Sequence, residues 1–120
     1  MPPEDRDLAH LWDMREFARA ATSIAEGLTL ERLRSNQHDQ LALAKAIELV
    51  GEAASRLSKE FRDAHPEVPW SAIIGMRNRL VHDYRRIDFA RVWGIVQRNI
   101  PPLLANLEAL IPPISDEDEA

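Results

Sequence analysis

The chain contains no cysteine. That removes disulfide staples and thiolate metal sites, and with them the usual support of a small secreted domain. No apolar run approaches the roughly 20 residues that a membrane-spanning helix needs, and no charged-then-apolar leader opens the N-terminus. The expected setting is therefore the cytoplasm, with no membrane contact. An excess of positive charge is also missing: 15 Lys and Arg stand against 20 Asp and Glu, a net charge of -5. A protein that coats nucleic acid by neutralising phosphates usually shows the opposite balance. Neither the two-residue alternation of strands nor an internal repeat occurs, and the acidic C-terminal SDEDEA is the one biased tract.

What is present reads as helix. With 120 residues and 45% hydrophobic content, the chain is long enough to bury one core and too short for two ordinary domains. We expect a single helical domain over residues 1–112 and a flexible acidic tail over 113–120. Residues 5–26 place Leu8, Leu11, Trp12, Phe17, Ala21 and Ile24 at helical spacings, and Gly27 stands where a stop belongs. A short TLERLRS turn follows, with Thr29 as N-cap. A second helix is expected from about Asn36 to Phe61, a third from Trp70, and a fourth from about Asp88 to Ile111 that Pro101 and Pro102 should kink or split. The fold class predicted is all-α, an antiparallel four-helix bundle.

The third helix contains an anomaly in RNRLVHDYRR, residues 77–86. Ile73, Ile74, Leu80 and Val81 line one stripe, and Arg77 falls within it. An unpaired guanidinium in a core costs on the order of 3 to 5 kcal/mol, so Arg77 must meet an acid or open onto an anion. Glu48 and Glu52 of the second helix are both placed to pair with it, and Glu52 fits equally well in a surface ladder with Lys45, Glu48, Arg56 and Glu60. At about 100° per residue, His82 lies about 140° from Arg77, with Asn78 between them. Two residues beyond His82 stands Tyr84. A cation, a proton-exchanging ring and a phenol within eight residues suit phosphodiester cleavage, which needs charge stabilisation on phosphorus and a group to move a proton. Metal chemistry fits less well, because there is no HxxxH pair and no tight carboxylate cluster. Gly51, mid-helix, suggests a close helix approach, and Trp70 and Trp93 read as packing anchors. His10, His38 and His65 suggest no chemistry. Arg79, Arg85 and Arg86 make the end of this segment locally basic.

Arg77, His82 and Tyr84, spaced by four residues and then one, resemble the signature of HepT-like toxins in the HEPN superfamily. ELVGEAASRL around Gly51, HPEVPWSAIIGMRNRLVHDYRRID from His65 to Asp88, and VWGIVQRNIPPLL from Val92 to Leu104 extend the resemblance over most of the chain. The resemblance implies a helical bundle that pairs into a homodimer or a higher assembly of dimers. It implies metal-independent RNA endonuclease activity without a cofactor, in the role of the toxin of a toxin-antitoxin pair. Arg77 and His82 would then be catalytic and Asn78 their polar neighbour, with Arg79, Arg85 and Arg86 as RNA or phosphate contacts. The implied partner is a minimal nucleotidyltransferase antitoxin that adenylylates Tyr84. The divergence of Arg77 and His82 on a regular helix independently suggests that two chains combine their halves. Two alternatives stay open on the residues themselves: a non-catalytic nucleotide- or partner-binding subunit of a nucleotidyltransferase complex, and a structural module in which Arg77 pairs with Glu48 or Glu52.

Overall fold

A computed structural model describes residues 4–82 and 86–113, and at residues 81 and 82 the backbone alone. Among the described residues there is no strand. The helices are α1 (Asp5–Glu26), α2 (Leu30–Ser35), α3 (Gln37–Arg56), α4 (Lys59–Ala64), α5 (Trp70–His82), α6 (Phe89–Arg98) and α7 (Ile100–Leu110). Residues 114–120 of the acidic tail lie outside the described residues. No described helix is long and apolar enough to cross a membrane.

Short polar side chains set the starts of the helices by accepting otherwise unpaired amide hydrogens. Thr29 accepts from the Arg32 N–H at 3.1 Å, as expected, although TLERLRS forms a short helix rather than a turn. Asn36 caps α3 by accepting from the Asp39 N–H at 3.1 Å. The expected second helix does not reach Phe61. It ends at Arg56, and Ser58 caps a separate α4 by accepting from the Phe61 N–H at 3.1 Å. Asp7 of α1, buried in the core, fixes this redirection: its carboxylate accepts from the Ser58 N–H at 2.8 Å and from its hydroxyl at 2.7 Å. The last helix is split as expected, but at Asn99. Pro101 and Pro102 fall in the first turn of α7, where a missing amide hydrogen costs nothing.

The order of the helices can be read from two apolar clusters. One joins Leu11 and Met14 early in α1, Val50 and Ala54 late in α3, Ile73 early in α5, and Leu107 of α7. The other joins Ala25 late in α1, Leu43 and Ile47 early in α3, Leu80 late in α5, and Val92 of α6. Each consecutive arm thus reverses direction, giving an antiparallel bundle of α1, α3, α5 and the jointed α6–α7 arm. Each fully buried Leu or Ile adds about 1.5 to 3 kcal/mol relative to exposure, and the two clusters secure opposite ends. α5 packs chiefly on α3, while α6 and α7 pack on α1 and α2. The side between α5 and the α6–α7 arm is left as an open groove.

Candidate active site

Arg77 owes its position to a glycine on the facing helix. At Gly51 a Cβ would overlap the Cβ of Arg77 and come within 3.0 Å of the Ile73 carbonyl oxygen. Without one, α5 lies close enough to α3 for the Arg77 side chain to run along the seam and reach solvent. The arginine is not a core residue: its side chain is 30% exposed, matching that of its partner.

The partner is Glu52. Arg77 donates from Nη2 to Glu52 Oε2 at 2.7 Å and from Nη1 to Asn78 Oδ1 at 2.9 Å. The other carboxylate oxygen of Glu52 accepts from Arg56 at 3.0 Å, so the carboxylate bridges two guanidiniums. Glu48 instead pairs with Lys45 at 3.4 Å. Both roles considered for Glu52 are therefore filled at once. Burial acts to raise the Glu52 carboxyl, but the hydrogen bond and charge of Arg77, reinforced by Arg56, outweigh it and hold the group below its ordinary value of 4.5. Two of the five Arg77 N–H groups are engaged, and Nε is buried with no acceptor among the described residues. The remaining N–H groups leave donor capacity for an anion, on a guanidinium whose orientation is already fixed.

Asn78 and Arg79 are exposed on α5, and Arg86 is exposed just before α6. His82 closes α5 in its backbone, while Tyr84 and Arg85 lie outside the described residues. Trp70 is a packing anchor, buried in the first cluster with its ring N–H donated to the His65 carbonyl at 2.9 Å. Trp93 is partly buried against the second cluster. His65 stands 3.1 Å from Glu67 and packs on the ring of Phe61, a structural place rather than a chemical one. Among the described residues no three His, Cys, Asp or Glu side chains converge on one point. The sequence reading did not single out Arg98, which together with Arg79, Arg86 and Arg91 lines the open groove. Nothing in the local pattern marks Arg98, whose flexible guanidinium end folds back over Gly94 four residues earlier.

The model of the ribonuclease HepT-like family matches residues 14–110. The chain belongs to the HepT-like ribonuclease family. Among its relatives is a Methanocaldococcus jannaschii protein provisionally named an RNase, 31% identical over 83% of this chain and 92% of its own length. A second from the same organism, also provisionally named an RNase, is 29% identical over 99% of this chain and 98% of its own. A Thermococcus cleftensis protein provisionally named ribonuclease HepT is 30% identical over 84% of this chain and 92% of its own. No solved structure matches the chain. The HepT-like assignment makes the protein a ribonuclease, and it agrees with the resemblance carried by Arg77, His82 and Tyr84.

Proposed function

We propose that this HepT-like ribonuclease cleaves RNA without a metal ion, as the toxin of a toxin-antitoxin pair in the cytoplasm. The observation that carries the reading is Arg77, a partly exposed guanidinium held by Glu52 and Asn78 with donors to spare. Cleavage forms a bond from the ribose 2′-oxygen to phosphorus and breaks the bond to the leaving 5′-oxygen. One proton leaves the 2′-hydroxyl and one arrives on the leaving oxygen, and His82 carries one of these transfers. Arg77 stabilises the extra negative charge on phosphorus, while Asn78 steadies Arg77. Positioned donors of this kind act where charge develops in the transition state.

Control is assigned to Tyr84. A minimal nucleotidyltransferase antitoxin joins the phenol oxygen to the α-phosphorus of ATP, pyrophosphate leaves, and the phenolic proton passes to solvent. The added anion competes with substrate phosphates for the neighbouring arginines and obstructs the strand. What supports this is the tyrosine's place two residues beyond His82 in the family motif.

The test is cleavage in EDTA. Purified wild type should cut RNA, and His82→Ala should lose about 10² to 10⁴ fold of the rate while keeping its helical circular dichroism. Equal rates in the two proteins would remove His82 from the mechanism. In the same experiment, co-expression with a minimal nucleotidyltransferase antitoxin should add AMP to the peptide containing Tyr84, and none to Tyr84→Phe.

A further inference from the structure

The open side of the bundle holds features that the Arg77 neighbourhood leaves unexplained. Between α5 and the α6–α7 arm runs a groove of about 950 Å³, floored by Ile47, Val92 and Leu103 and edged by Arg79, Arg86, Arg91 and Arg98. Among the described residues, no carboxylate lies within salt-bridge distance of any of these four guanidiniums. The two acids that line the groove among the described residues have partners of their own. Glu67 faces His65 at 3.1 Å, and Asp88 accepts from the Ala90 and Arg91 N–H groups at 3.0 and 3.4 Å. A chain of net charge -5 thus sets four arginines against two carboxylates along one groove among the described residues.

Two helical glycines face this groove. Gly94 clears room for Arg98, whose guanidinium folds back over it along the groove wall. Gly75 has no such use inside the chain. It does not have a positive φ, and a Cβ there would meet nothing within 4 Å. A mid-helix glycine is less favourable than alanine, so with neither backbone conformation nor internal packing to account for it, Gly75 points to something outside the chain that approaches the α5 backbone closely.

The chemistry of the groove selects the occupant. A second copy pairing through this groove about a two-fold axis would set four arginines against four, with no unpartnered acid among the described groove residues to relieve them. A single-stranded nucleic acid offers phosphates to the arginines and apolar base faces to the floor between them. The groove also lies near the cleavage motif along the chain: position 79 is within one turn of position 82 on the same helix, and Arg86 comes two residues after Tyr84. We infer that the groove between α5 and the α6–α7 arm carries the single-stranded RNA substrate beyond the scissile phosphate, with Arg79, Arg86, Arg91 and Arg98 on its backbone and Gly75 against a sugar or base. This deepens the proposed function and rests on it.

The experiment is fluorescence anisotropy of a labelled single-stranded RNA of about 12 nucleotides, titrated with His82→Ala protein across a salt series. In that background Arg91→Ala with Arg98→Ala should weaken binding at least tenfold and reduce the salt slope by about 1.4, the two lost phosphate contacts at ~0.7 each. Arg34→Ala removes an exposed charge on α2 that is not among the groove-lining residues, and should leave affinity unchanged. Gly75→Leu should also weaken binding while the thermal midpoint holds or rises, which a glycine needed by the fold would not allow. RNA cleavage by wild type alongside undiminished binding by the Arg91 and Arg98 double variant would overturn the groove and spare the cleavage mechanism. No RNA binding by the His82→Ala parent would overturn both. Loss of an oligomer on light scattering in the double variant, or binding of the acidic peptide SDEDEA in place of RNA, would reassign the groove to a protein partner.

Discussion

Glu52 stands between two guanidiniums, and that placement makes a prediction about acid. Its carboxyl titrates below 4.5 in the folded protein because Arg77 and Arg56 favour the charged form more than burial disfavours it. In the unfolded chain neither arginine is held nearby, and the group returns to its ordinary value. Its contribution is therefore fully present above about pH 5 and is lost as pH falls through the lowered folded value. Urea midpoints measured from pH 7 down to pH 3 should show wild type above Glu52→Gln by a constant margin until about pH 5, with the margin shrinking below 4.5. A margin that does not change with pH would mean that the Arg77 bridge forms equally well to a neutral amide. Because Glu52 also aims Arg77, the same substitution should slow RNA cleavage at neutral pH, where the carboxylate is charged throughout.

At the scale of the helices, Gly51 sets how near α5 comes to α3. Alanine there brings its methyl against the Arg77 Cβ and the Ile73 carbonyl, both on the helix opposite, so relief requires α5 to move outward rather than one side chain to turn. Overpacking of this kind typically costs about 1 to 3 kcal/mol, offset by the better helix propensity of alanine at roughly 1 kcal/mol. Gly51→Ala should lower the urea midpoint and reduce cleavage together, whereas unchanged stability would show that the seam is slack. The close approach and the paired arginine were both legible in the sequence, from a mid-helix glycine and a charge on an apolar stripe. The choice of acid was not: residues 48 and 52 are one helical repeat apart and share a face, so periodicity places them equally. The break at Ser58 escaped for a related reason. Leu57 and Phe61 continue the apolar spacing of α3, and the redirection depends on Asp7, 51 positions away in the chain. The prolines announced a joint in the last arm but not its place, since they are also at home in a first helical turn. The groove was the least legible part. Its arginines come from α5, α6 and the segment before α6, and no local pattern states which side of a bundle stays open.

Considered whole, the molecule is a slab of 46 × 30 × 19 Å with a radius of gyration of 15.1 Å, against about 13 to 14 Å for a compact chain of this length. One side is open, and the motif residues diverge about a single helix: Arg77 is tied to α3, and position 82 lies about 140° around α5 from it. A single phosphate cannot readily meet both from one chain, which motivates the symmetric homodimer we predict, with the ends of the two α5 helices brought together so that each site draws Arg77 from one copy and His82 from the other. Light scattering at micromolar concentration should give twice the 13.7 kDa chain mass. A sharper test mixes two inactive proteins, Arg77→Ala and His82→Ala, after brief unfolding and refolding together. If each site is shared, half of the randomly formed dimers are mixed, and in each of these one of the two sites has an intact Arg77 and an intact His82. The mixture should then recover about a quarter of the wild-type rate by that two-fold bookkeeping, although each parent alone is inactive. If the sites are confined to single chains, mixing recovers nothing, and a dimer that still forms would serve some purpose other than completing the site.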